Sequence, residues 1–299
     1  MSPRMPRAAF GVQGLAALMS GADPARAAMP VPEAFQDPHS RLDAFVRVEG
    51  DASGELVVQH DVGSVYSFFD GVTDRRLFDT ERFALRRYRR IEAGWLRTER
   101  AVTVYRDPES HRIIAAWKNP WLERSVDVID LAQESTHQFS VAELGKSYDI
   151  GITIHEDDVF VQHSSFAVEA SPITPLSHPL HGQDDIWEGS DFLNFFCRLR
   201  DVNNRKLARV PAVSSYNRVS SLLPWLEMGD VASAMIVQTR SEKLKRVEEL
   251  PRDLLDHAIK LYPTYLALPA DVTLPPPVSA SGMDFYKAEI ARKSGPVAR

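Results

Sequence analysis

Residues 100–130 carry the reading of the fold: Arg-Ala-Val-Thr-Val-Tyr-Arg-Asp (100–107), Ile-Ile-Ala-Ala-Trp-Lys-Asn-Pro (113–120) and Ser-Val-Asp-Val-Ile-Asp (125–130). These are three short runs rich in Val, Ile, Tyr and Trp. Asp107-Pro108-Glu109-Ser110 and Asn119-Pro120 break them with turn signals of the kind that join antiparallel neighbours. This stretch is the expected centre of a β-sheet. Tyr105, Arg106, Asp107, Trp117 and Asn119 then stand at strand ends, where polar and aromatic groups can hold a ligand.

Working outward, the same rhythm continues on both sides. Ala44–Gly50, Glu55–His60, Gly63–Phe69, Leu77–Asp79, Phe83–Tyr88 and Trp95–Tyr105 read as strands, with helical periodicity nearly absent before residue 130. The middle of the chain is less regular. Asp158–Glu169 reads as one strand with His163 and Glu169 on the same face, followed by a proline-marked loop carrying His178, His181, Asp184, Asp185 and Trp187. Strands return at 192–202, 210–219 and 232–239. In the first of these, Leu193, Phe195, Cys197 and Leu199 form a buried face. The opposite face, with Phe192, Asn194, Phe196, Arg198 and Arg200, reads either as a ligand-holding barrel interior or as an outer face covered by the proline-rich loop. Pro251–Tyr262 is the one clear amphipathic helix.

The expectation is a mainly β fold: an antiparallel barrel or strongly curved, lipocalin-like sheet with a long mid-chain loop and a C-terminal helix. Residues 1–34 are read as a flexible extension or degenerate signal, 35–290 as a single β-rich domain and 291–299 as a frayed tail. Arg4 and Arg7 ahead of a short apolar run and an Ala-rich site resemble an export signal, but Gln13 and the glycines interrupt it. Cytoplasmic residence is therefore expected, with export to the periplasm as the alternative. Nothing approaches the ~20 apolar residues of a membrane span.

Composition is that of an ordinary globular chain, 44% hydrophobic and 25% charged, able to build a sizeable core. A net charge of −6 argues against binding phosphate backbones, so no nucleic-acid partner is expected. The cluster Arg86-Arg87-Tyr88-Arg89-Arg90 reads first as a solvated or ion-paired face, with an anion site as the alternative. One cysteine, Cys197, rules out an internal disulfide and a thiolate zinc cage.

Several local signatures, in order, resemble the family catalogued as domain of unknown function 1838. They are Gly63-Ser64-Val65-Tyr66, Leu77-Phe78-Asp79 leading to Arg86-Arg87, Tyr105-Arg106-Asp107, Trp117-Lys118-Asn119-Pro120, Leu223-Pro224-Trp225-Leu226-Glu227-Met228-Gly229 and Phe285-Tyr286-Lys287. The resemblance spans residues 41–287. Two departures stand out: Trp121-Leu122-Glu123 replaces the family's usual Thr-Gly-Glu, and 130–134 replaces its Asn-Asp-Pro segment. The resemblance implies a β-rich fold, often behind an export signal, and carries no established activity.

Two function classes fit. The first is a lyase, isomerase or dehydratase without cofactor, working by acid–base chemistry on a hydrophobic oxygenated molecule of aromatic or terpenoid kind, as in secondary metabolism or aromatic compound catabolism. His163 or Glu169 would be its base, with Tyr105, Tyr216 and Arg218 as donors. Arg87, Arg106, Asp107, Trp117, Asn119, Phe196 and Trp225 would form its substrate-binding surface. The second is a non-catalytic, lipocalin-like binding protein for a hydrophobic ligand. A metal-dependent hydrolase built on His178 and His181 with Asp184 or Asp185 is a further alternative. Ser214-Ser215 lacks a nucleophile elbow, and no Gly-rich phosphate loop is present. A homodimer is compatible with each reading.

Overall fold

The computed structural model describes residues 33–69, 72–146, 148–170, 186–228, 233–269 and 282–294. All lie within one compact unit, Pro32–Arg299. Two helices come first, α1 (Glu33–Gln36) and α2 (Pro38–Glu49). The strands β1 (Val57–Phe69), β2 (Val72–Ile91), β3 (Gly94–Arg106), β4 (Ala116–Asn119), β5 (Arg124–Asp127), β6 (Leu131–Ser140), β7 (Asp149–His155), β8 (Asp158–Ala170) and β9 (Ile186–Arg198) follow. A short helix α3 (Leu199–Asn203), strands β10 (Ala212–Ser221) and β11 (Ser233–Leu244), then helices α4 (Arg252–Leu261) and α5 (Gly282–Ser294) complete the chain.

Nine strands form one antiparallel sheet in the order β6-β3-β2-β1-β11-β10-β9-β8-β7, and β4 and β5 form a separate hairpin. The sheet curls into a half-barrel. Its curvature is visible in the side chains. Phe139 on β6 and His163 on β8 are seven strand steps apart in the sheet, about 33 Å if it were flat. Their ring centroids are 5.7 Å apart, and both pack on Phe45 of α2. The face that carries them is therefore the concave one.

Strand alternation puts two different surfaces on this sheet. The concave face has an apolar cluster at each end. One is built from Phe78, Tyr105, Trp187, Trp225, Leu226 and Tyr286, the other from Phe45, Trp95, Phe139, Tyr148, Ile150 and Phe195. Val58, Phe83, Leu85, Val102 and Val104 belong to the convex face and are covered by Leu254 and Ala258 of α4. Gly63 marks a close approach of β1 to β11: a Cβ there would lie 1.9 Å from the Gln238 carbonyl oxygen.

Residues 113–130, expected at the centre of the sheet, instead carry the separate β4–β5 hairpin, and three further segments depart from the sequence reading. Ala44–Gly50, expected as a strand, is the second half of α2 with Gly50 as its C-terminal cap. Pro38 opens that helix and Asp37 caps it, its carboxylate accepting from the His39 and Ser40 amides at 2.9 and 3.0 Å. Leu42, Phe45, Val46 and Glu49 recur at helical spacing and are all buried, which outweighs the alternation of Val46 and Val48. The strand expected over 192–202 stops at Arg198, where the chain turns into α3. Of the two readings open for Phe192, Asn194 and Phe196, the outer face is the one observed: they lie on the convex side, and Leu193, Phe195 and Cys197 line the concave one. The last segment is a full helix, α5, because Met283 and Tyr286 bury against the first apolar cluster. The mid-chain loop, with His178 and His181, lies outside the described residues. Among the described residues no helix is long and apolar enough to cross a membrane.

Candidate functional site

Between the two apolar clusters, the concave face carries a polar band. Its geometry follows from register: Asp191 on β9 stands opposite Arg218 on β10, and Leu193 joins His163 on β8 to Tyr216 on β10 in one row across the strands. Asp191 accepts Arg218 Nε at 2.6 Å and Nη2 at 2.8 Å, a two-pronged pairing that fixes the guanidinium plane. The same carboxylate accepts the Tyr216 hydroxyl at 2.8 Å. The Arg218 cation also sits 5.3 Å from the Trp187 ring centroid. Arg218 Nη1 has no hydrogen-bond partner among the described residues.

A second network faces it from β1, β2, β3 and α2. Arg82 bridges Asp61 at 2.9 Å and Glu99 at 2.6 Å. Arg86 donates to Glu99, to Gln59 and, at 3.3 Å, to Glu49, while Arg97 reaches Glu49 at 2.9 Å and the Tyr88 hydroxyl donates to the same carboxylate. Four arginines (82, 86, 97, 218) thus meet four carboxylates (49, 61, 99, 191), and the band is balanced in charge. Glu49, Glu99 and Arg86 are sealed. The side chains of Arg218, Asp191 and Arg82 keep 24%, 18% and 16% exposure, so the surface that solvent reaches lies around these three.

The protonation states follow. Burial acts against the Asp191 carboxylate, but Arg218 and the Tyr216 hydroxyl outweigh it and hold its pKa below the usual range. Burial and the adjacent Asp191 charge push the Tyr216 phenol well above its ordinary pKa, against the pull of Arg218. His163 is packed edge-on among Phe45, Phe139 and Tyr148, and its Nδ1 is buried without a partner. Burial, opposed by Glu49 and helped by Arg97, lowers it to about 4, so it is neutral at pH 7. Its Nε2 makes no hydrogen bond with a described residue.

Of the residues singled out in the sequence, His163, Tyr216 and Arg218 come together on the concave face. His163 and Tyr216 are two strands apart, about 10 Å. Tyr105 lies on the same face inside the first apolar cluster, its hydroxyl 3.1 Å from that of Tyr286. Burial raises it to about 12. Trp225 is buried in that cluster and Trp117 packs at its edge. Asn119 is a turn staple: its amide nitrogen donates to the Leu226 carbonyl at 2.9 Å and its oxygen accepts the Trp121 and Leu122 amides. Asp107 likewise caps its own turn, accepting the Ser110 amide at 2.7 Å.

The rest lie elsewhere. Arg106 is on the convex face, bonded to Glu81 at 2.5 Å and to Asp253 of α4 at 2.6 Å. Arg87 is on that face too, donating to the Pro269 carbonyl at 3.3 Å. Phe196, 53% exposed, stacks on Phe160 on the same side. Glu169 pairs with Trp187 in the β8–β9 ladder, and its side chain is outside the described residues. Among the described residues no group of three or more His, Cys, Asp or Glu is placed to hold a metal. Asp191 and Arg82 were not singled out in the sequence. The available signal for Asp191 was its parity: it shares the period-two face of Leu193, Phe195 and Cys197, a carboxylate in an apolar row.

A search of curated proteins finds no match to this sequence. A family model does match residues 55–283, most of the chain and all of the nine-stranded sheet. The chain that builds this charge-balanced half-barrel belongs to the family described as protein of unknown function DUF1838.

Proposed function

We propose that the protein binds a hydrophobic, oxygenated small molecule, of aromatic or terpenoid kind, against the concave face of the half-barrel. The observation that carries this reading is Arg218. Asp191 holds its guanidinium rigidly in mid-face, and Nη1 is left to donate to a ligand oxygen. Because the pair is already neutral, a carbonyl or ether oxygen suits it without importing charge, and the two apolar clusters offer walls for a hydrocarbon body.

Binding is favoured over turnover by the titration behaviour of the band. General acid–base work is most efficient with a group whose pKa lies near the operating pH. Asp191 is held low, Tyr216 is pushed high and His163 falls to about 4. One observation supports the second reading, a cofactor-independent lyase, isomerase or dehydratase at the same site. His163 is neutral at pH 7 and its Nε2 is not bonded to a described residue, so it can take a proton.

Native mass spectrometry of the protein purified from its own host tests the proposal. The expected result is a co-purified organic molecule, with affinity reduced in Arg218→Lys, which keeps the charge but loses the fork. A ligand that binds Arg218→Lys as tightly as the parent chain overturns the reading. Conversion of that ligand by the parent chain and not by His163→Phe would move the function to the enzyme class.

A further inference from the structure

The basic run Arg86-Arg87-Tyr88-Arg89-Arg90 is only partly used by the concave site. Strand alternation sends Arg86 and Tyr88 inward to Glu49 and leaves Arg87 and Arg89 on the convex face, paired across the ladder with Thr98 and Leu96 of β3. Together with Gly54 and Pro269 these residues line a pocket of about 170 Å³. No carboxylate lines it, in a chain whose net charge is −6. Neighbouring Arg86, Arg90, Arg97 and Arg100 are all ion-paired. Arg87 makes no such pair among the described residues, and its one hydrogen bond to them is to the Pro269 carbonyl.

We propose that this pocket is a second binding site, for a small oxyanion group, phosphate or carboxylate. A guanidinium presents a planar fork that matches either group. Arg87 keeps most of its fork open, and Thr98 contributes a hydroxyl from the neighbouring strand. Leu96 and Pro269 form an apolar wall that excludes water from one side of the anion and strengthens its attraction to the guanidinium. The site is on the opposite face of the sheet from Arg218 and does not depend on the ligand proposed there.

The test is titration of the full chain with inorganic phosphate, succinate and chloride at matched ionic strength, followed calorimetrically. Phosphorus NMR line broadening provides a second readout for phosphate. The expected result is saturable millimolar binding of phosphate or succinate that chloride does not reproduce. Arg87→Gln should weaken it about tenfold, the loss of one charged, forked contact. Arg252→Gln, an exposed arginine of α4, should leave it unchanged. Binding of phosphate alone or of succinate alone identifies the source of the group, and either supports the site. A response that chloride matches, or an affinity unaltered in Arg87→Gln with native circular dichroism, overturns it.

Discussion

Replacing Asp191 by Ala strands a cation. The carboxylate receives two bonds from Arg218 and one from Tyr216, and its removal leaves the guanidinium three-quarters buried above Trp187 with no counter-charge. Breaking a buried pair from one side costs ~3–5 kcal/mol. The residual exposure of both partners lets water share the loss, which places this pair at the lower end, about 3 kcal/mol, and the abandoned Tyr216 phenol adds about 1 kcal/mol. The total, about 4 kcal/mol, corresponds to a fall in Tm of roughly 8–16 °C for a chain of this size class. Urea unfolding at pH 7, followed by tryptophan fluorescence, measures it. The double variant Asp191→Ala/Arg218→Met removes the stranded charge and keeps an unbranched chain over Trp187, so it should recover all but about 1–2 kcal/mol. A single variant that loses less than about 1 kcal/mol, or a double variant no more stable than the single, would refute the electrostatic account of the band.

Two further outcomes follow from the same side chains. The His163 imidazole titrates near 6.5 when unfolded and near 4 when folded, so the folded state binds fewer protons across that interval. Its contribution to stability is complete above about pH 6.5 and is lost as pH falls towards 4, up to ~3 kcal/mol; thermal unfolding against pH should therefore be shallower over this range in His163→Phe than in the parent chain. Tyr286→Phe leaves the buried Tyr105 hydroxyl alone and should cost about 1–2 kcal/mol. Deuterium exchange in α5 should quicken and should return towards the parent rate in Tyr105→Phe/Tyr286→Phe; equal exchange in all three would dissociate the hydroxyl pair from the docking of α5.

The sheet was legible because its strands announce themselves locally. Phe83–Tyr88, Trp95–Tyr105 and Asp158–Glu169 alternate, stop at turn residues and appear as strands where read. α2 was not, because Val46 and Val48 mimic alternation while the deciding signals, the Asp37 cap and Pro38, lie several residues upstream. The site was legible in part. His163, Tyr216 and Arg218 stood out as single residues, but the parity of Asp191 does not name its partner, which comes from the β9–β10 register pairing residues 27 positions apart. Arg106 and Arg87 illustrate the converse. Their chemistry is visible in the sequence, whereas the face of the sheet they occupy depends on which way it curls.

Among the described residues neither β6 nor β7 pairs with a further strand, and such an edge presents a row of backbone amides and carbonyls on which a foreign strand could add. Along β7 every second residue is exposed, and those residues are Asp149, Gly151, Thr153 and His155, with no large hydrophobe among them. The opposite edge, β6, exposes His137 and Gln138 towards its end. An incoming strand would therefore gain backbone bonds at either edge but little apolar burial, and at β7 it would meet a carboxylate at the first register position. The polar edges allow this fold to leave its barrel open without offering a seed for aggregation.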